Sequence, residues 1–246
     1  KRPFMAGTYF PVQSRYGMPG FSDLLNAIAK QWNDNREELM QSADQVIAHL
    51  KKSVSVHRNG NDGDFSEKAV QIFSESFDYD YGGFGEAPKF PAAHNLFFLT
   101  MYGVQNGDSA VLAMVEKTLI QMRKGGIFDQ VGYGFSRYST DRYFFAPHFE
   151  KMLYDNALLI IAYAAVYTVT QNLLYLDTAE RTAQYILREM TGRGGGFYSA
   201  QDADSEGVEG KYYTFTLAEV MDVLGEEKGK QFSEAFDITV NGNFEG

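Results

Sequence analysis

Apolar positions three and four apart recur along most of the chain, the period of an amphipathic helix. Leu24, Leu25, Ile28 and Trp32 form one stripe starting near Phe21, and Leu39, Val46, Ile47 and Leu50 form a second, which predicts two helices. Ahead of them, Pro3 to Pro11 reads as a short strand, because aromatic and β-branched residues cluster around one glycine between two prolines. A lone strand cannot satisfy its edges. The polar, glycine-bearing stretch Ser53 to Gly63 is the best linker candidate and puts a boundary near residue 60. The expected division is therefore 1–56, a linker over 57–63, and 64–246.

Beyond the linker, helical stripes predict helices over Ser66–Phe77, His94–Val104, Ser109–Lys124, His148–Thr170, Leu173–Met190 and Leu217–Leu224. Their connections alternate strictly between long and short. The long ones contain Tyr81–Pro91, Gly125–Phe135 and Gly194–Asp204, each with a Gly-Gly pair followed by an apolar residue. The short ones, Gln105–Asp108 and Gln171–Asn172, suit antiparallel hairpins. In a series of antiparallel helices every second connection emerges at the same end, so the long loops should share one rim. Their many rings and glycines make that rim a candidate ligand mouth, against the plainer reading that the rings plug gaps between hairpins.

Composition narrows the function. The 246 residues carry 22 Lys+Arg against 32 Asp+Glu, a formal charge of −10, which argues against nucleic acid or an anionic membrane surface as partner. There is no cysteine, hence no thiol chemistry or thiolate metal site in this stretch. The longest apolar run, Ala157 to Val169, is shorter than the roughly 20 residues of a membrane span, and the expectation is a cytoplasmic protein. The sequence opens at Lys1 and ends on the turn-like Asn241–Gly246, so an excised piece of a longer protein is expected. The Gly-Gly-Phe segments lack the strand context of a phosphate-binding loop, and no cofactor or metal is expected.

Four segments carry a resemblance: Gly83–Pro91 (GFGEAPKFP), Asp129–Asp141 (DQVGYGFSRYSTD), Pro147–Asn156 (PHFEKMLYDN) and Tyr198–Gly207 (YSAQDADSEG). They resemble the thioredoxin-domain-containing family that includes the mammalian spermatogenesis-associated thioredoxin-like protein. The resemblance implies a mainly α fold, a partial (α/α) toroid of the six-hairpin glycosidase and sugar 2-epimerase type. It also implies that residues 1–56 are the tail of a thioredoxin-like α/β domain whose cysteine motif lies upstream. A full toroid of this kind has about twelve helices, and this chain supplies about half. Phe144 and Phe215 stand where tryptophan is expected in many relatives, which keeps a ring but loses an N–H donor.

The chemistry-bearing side chains sit in these motifs. On a helix from His148, the residues His148, Met152 and Asp155 would share a face, Lys151 would reach Asp155, and the helix dipole would favour a neutral imidazole. Glu150 beside it is a candidate acid or base. Asp202, Asp204, Glu206 and Glu209 crowd the third loop, so repulsion should raise a carboxyl pKa or attract a cation. Calcium binding is not supported, since position twelve of the corresponding loop falls on Tyr213. Glycosidases need two carboxylates, which Asp202 or Asp204 and Glu150 or Asp129 would supply.

The catalytic candidates are accordingly His148, Glu150, Asp202 and Asp204, with Lys89, His94, Asp129, Arg137, Tyr138, Phe144, Asp155, Tyr198 and Glu206 around a small-molecule substrate, a sugar by resemblance. Three readings stay open: carbohydrate chemistry of the epimerase, isomerase or glycosidase kind, a non-catalytic module attached to a thioredoxin-like domain, and a peptide-docking surface. The sequence sets no oligomeric state.

Overall fold

The computed structural model describes residues 2–15, 17–54 and 65–242, and the chain divides into two compact units, residues 1–63 and 64–246. In the first unit, α1 (Phe21–Asp34) and α2 (Arg36–Val54) are the expected helices, with Asn35 between them. Pro3–Pro11 is irregular rather than a strand. A strand needs a neighbour to take its backbone hydrogen bonds, and among the described residues this unit holds one bridge, Arg15 with Met18. α1 buries none of its residues, and Leu25 and Trp32 of its apolar stripe are exposed, with Arg36 lying over the Trp32 ring. From residue 55 on, the expected linker lies outside the described residues.

The second unit is an array of helices: α3 (Phe65–Ser76), α4 (Ala93–Asn106), α5 (Ser109–Lys124), α6 (Leu153–Thr170), α7 (Leu173–Glu189) and α8 (Leu217–Ala235). Short links make two hairpins. Gly107, at φ 65°, ends α4, and Asp108 caps α5 by accepting from the Ala110 and Val111 N–H groups. Asn172 caps α7 the same way through the Leu174 N–H. α6 is apolar on most sides because it packs against both α4 and α7, burying Leu159, Ala162, Tyr163 and Val166. Among the described residues it is also the one helix long and apolar enough to cross a membrane, by length and composition. The Tyr163 hydroxyl, wholly buried, donates to the Leu119 carbonyl at 2.7 Å, which ties α6 to α5.

Two helix boundaries differ from expectation. α8 continues past Leu224, but Gly225, at φ 76° and ψ 173°, breaks it at that point. The more consequential difference is at α6, which starts at Leu153 and not at His148. Residues 147–152 are extended because their backbone is taken up in pairing: β2 (Pro147–His148) with β1 (Tyr138–Ser139), and β3 (Lys151–Met152) with β4 (Ala200–Gln201). Ser139 also exchanges backbone hydrogen bonds with Lys89, at 2.8 and 2.9 Å. A third ribbon, β5 (Asp204–Ser205) with β6 (Val208–Glu209), closes the last long loop. These pairings join all three long loops at one end of the hairpins, so the expected common rim is present.

Candidate functional site

Two buried ion pairs hold the rim from beneath. Lys89, 1% exposed, places its ammonium 2.6 Å from Asp78 and 2.7 Å from the Gly82 carbonyl. Asp78 also accepts from Arg142 and from the Asp80 and Tyr81 N–H groups. Burial alone would raise the Asp78 carboxyl, but Lys89, the Tyr81 N–H and Arg142 together hold it well below the usual carboxylate range. Farther along, Lys151 lies 2.8 Å from Asp129, bonds the Tyr133 carbonyl, and sits against the Tyr185 and Tyr213 rings. Asp129 accepts from the Val131 and Gly132 N–H groups, and Lys151 outweighs burial to keep its pKa low.

This scaffold places Lys89, Asp129, Lys151 and Phe144 differently from the sequence reading. Lys89 and Asp129 are committed to internal ion pairs, and Lys151 reaches Asp129 where Asp155 was expected. Phe144 is fully buried at φ 61°, with Lys89 over its ring and Gly83 beneath it, where a Cβ would come within 2.9 Å. These side chains pack within the loops.

Above the scaffold lies a mixed cluster of rings and charges. The Tyr138 ring stacks on His148, with centroids 4.7 Å apart and planes 19° from parallel, and Phe90, 54% exposed, abuts Tyr138 at 4.9 Å. His148 lies on extended β2, not on a helix end, so the expected dipole effect does not act on it. Its Nε2 is 3.4 Å from a Glu209 carboxylate oxygen, while its buried Nδ1 has no hydrogen-bond partner among the described residues. Glu150, two residues on along the same extended stretch, takes a 2.9 Å ion pair from Arg137, whose own N–H donates to the Glu150 carbonyl.

Asp155, in the first turn of α6, is half-buried, and its Oδ2 has no hydrogen-bond partner among the described residues. Burial pushes its carboxyl up to about 6, against the pull of Arg137 and of a hydrogen bond with Tyr154. An acid poised there exchanges protons near neutral pH.

The remaining candidates are dispersed. Asp202 and Asp204 are exposed, and Asp202 accepts from the Asp204 N–H in a local turn. Glu206 is exposed and pairs with Lys211. Tyr198 is exposed on the third loop, and His94 is exposed on the first turn of α4. Among the described residues no group of His, Asp or Glu is arranged to hold a metal ion. A small cavity of about 40 Å³ lies between α4, α5 and α6 at the opposite, short-link end, lined by Thr100, Leu112 and Val166 among others. Sequence reading missed Tyr154 and Glu209 as members of the cluster. Tyr154 adjoins Asp155 within a quoted motif, whereas nothing local signals that Glu209 meets His148.

Comparison with known proteins places this geometry. A family model described as Thioredox_DsbH, a protein of unknown function (DUF255), matches residues 1–51. Spermatogenesis-associated protein 20 of Homo sapiens is 40% identical over 92% of this chain and 30% of its own length. The family resemblance read from the motifs holds. The chain spans about a third of the length of the curated relatives it matches. Among solved structures, cellobiose 2-epimerase from Bacillus thermoamylovorans superposes with a TM-score of 0.51 at 14% identity, over 68% of this chain and 52% of that one. A sugar epimerase from a ruminal bacterium gives 0.50 at 16%, over 68% and 50%. At these identities the likeness is one of fold: the hairpin unit is a partial α/α toroid of the type seen in sugar epimerases and glycosidases.

Proposed function

We propose that the hairpin unit is carbohydrate-active, of the epimerase, isomerase or glycosidase kind, and that its acid/base chemistry takes place at the loop rim. One observation carries this reading: the joined loops set a ring ladder, Phe90–Tyr138–His148, with Phe90 exposed and the His148 imidazole at its end, and next along the chain Arg137 acts on the Asp155 carboxyl, whose pKa is pushed up to about 6. Apolar rings suit the C–H face of a sugar, and proton transfer next to a carbonyl needs an acid and a base of matched pKa. In this reading His148, Glu150 and Asp155 handle protons, Arg137 and Tyr138 position the substrate, and the exposed Asp202 and Asp204 stand outside the reacting set. Likeness of fold to a cellobiose 2-epimerase supports the substrate class by analogy. We further place the domain division at 1–56, 57–63 and 64–246, and the protein in the cytoplasm, with no resident cofactor.

A second reading draws on the match of residues 1–51 to a thioredoxin-like family model: the toroid then serves as a binding module beside a redox domain. One experiment separates the two. Turnover of reducing disaccharides and N-acylated sugars is measured for the wild type and His148→Ala. Loss of about a hundredfold or more in the variant is the expected result. Equal turnover in both removes His148 from the chemistry, and sugar-dependent thermal stabilisation without turnover favours the binding module.

A further inference from the structure

His148 and Glu209 come from different loops and meet at the rim. Tyr138 stands opposite His148 in the β1–β2 pair, and the stack of the two rings fixes the plane of the imidazole. Glu209 ends β6, and the backbone just after it is pinned: the Gly210 N–H donates to the Ala203 carbonyl at 3.0 Å. Gly210 takes φ 71°, and a Cβ on it would come within 2.5 Å of the ring of Phe149, the residue after His148. That ring in turn stacks on Tyr213, with centroids 5.1 Å apart. Packing beside the imidazole therefore delivers the Glu209 carboxylate to 3.4 Å from Nε2, although its side chain is half-exposed. The two ring nitrogens face unlike surroundings. Beside a carboxylate, Nε2 is favoured as an N–H, because a bare lone pair there would be repelled. Nδ1 is buried with no hydrogen-bond partner among the described residues, so an N–H at that position would lack an acceptor.

We infer that Glu209 is a positioning residue of the rim, whose carboxylate holds the neutral His148 imidazole with its proton on Nε2. The basic lone pair then lies on Nδ1, and uptake of a further proton by the ring falls on that atom. Glu209 stays beside the imidazolium so formed and offsets its charge. Tyr138 keeps the plane of the ring and Glu209 keeps its tautomer, and neither role needs Glu209 to touch a substrate. This inference rests on the reading of the rim as an acid/base site for sugars, and adds the residue that decides which nitrogen of His148 is basic.

Heteronuclear NMR of the full chain, labelled at the histidine nitrogens, tests it at a pH of about 9, where an ordinary imidazole is neutral. The chain has four histidines, and loss of a signal in His148→Gln assigns that of His148. The wild type should show a single Nε2–H tautomer, with the two ring nitrogens well separated in chemical shift. Glu209→Ala should draw the two resonances together as both tautomers become populated. Glu209→Gln, which keeps an acceptor oxygen, should restore most of the separation; a merely structural role for Glu209 would move neither resonance. Turnover of reducing disaccharides and N-acylated sugars should fall about tenfold or more in Glu209→Ala and recover in part in Glu209→Gln. A proton found on Nδ1 in the wild type, or ring resonances unchanged in Glu209→Ala, overturns the inference and leaves the sugar reading standing. A wild type that turns over none of these sugars overturns the sugar reading, and with it the part of Glu209 in the chemistry, whichever tautomer is seen.

Discussion

The two buried ion pairs under the rim and the Arg137–Glu150–Asp155 cluster above it are made from the same side-chain types, and they behave in opposite ways. Asp78 accepts from Lys89, Arg142 and two backbone N–H groups, and its carboxyl is held ionised far into acid. Asp155 only feels the charge of the guanidinium that pairs with Glu150, has an oxygen without a partner among the described residues, and is pushed up to about 6 by burial. Burial opposes the charge in both. What differs is how many donors repay it, and that count separates a strut from a group free to exchange protons.

The largest effect should come from breaking a strut. Lys89→Met leaves Asp78 inside the protein with only the half-exposed Arg142 as charged partner, and loss of one member of a buried pair costs about 3 kcal/mol. Chemical denaturation measures it. Adding Asp78→Asn to that variant should recover part of the loss, because the uncompensated charge then goes too. A double variant as unstable as the sum of the singles would place the two side chains in separate roles and dissolve the contrast.

Asp155 should respond with the opposite sign. Its folded pKa, about 6, is above the unfolded value of about 3.9, so the native state holds the extra proton between those values. Stability from this group is therefore complete below about pH 4 and declines as pH rises to 6. Asp155→Asn removes the cost of ionising a half-buried acid. It should leave stability unchanged near pH 4 and raise it by about 1 kcal/mol at neutral pH, after allowance for solvent exposure, as read from thermal unfolding at both pH values.

Most of this fold was legible in the sequence. Apolar periodicity locates α3, α4, α5 and α7 within a few residues, and the alternation of long and short links predicts a common rim, because both depend on local spacing. The error at His148 is instructive. Pro147 followed by a helical apolar pattern reads as a helix start, yet residues 147–152 are extended because Tyr138–Ser139 and Ala200–Gln201, distant in sequence, take up their backbone groups. The Lys89–Asp78 and Lys151–Asp129 pairs were hidden for a similar reason. A motif shows that a lysine and an acid are present, while only the folded loops decide that they meet inside.

The acidic ribbon of the third loop marks the small end of the scale. Asp204 lies on β5 with its side chain in solvent, and its backbone N–H donates to Asp202, a contact that substitution of its side chain leaves in place. Sequence crowding of four acids suggested mutual repulsion, but exposure lets water screen it, and Glu206 and Glu209 are drawn away by Lys211 and His148. Asp204→Asn should therefore change unfolding stability by less than about 0.5 kcal/mol. A larger gain on raising the pH would mean that the acids of this ribbon repel one another at close range. They would then belong with Asp155 as carboxylates strained by their surroundings, and donor count alone would no longer tell the two regions apart.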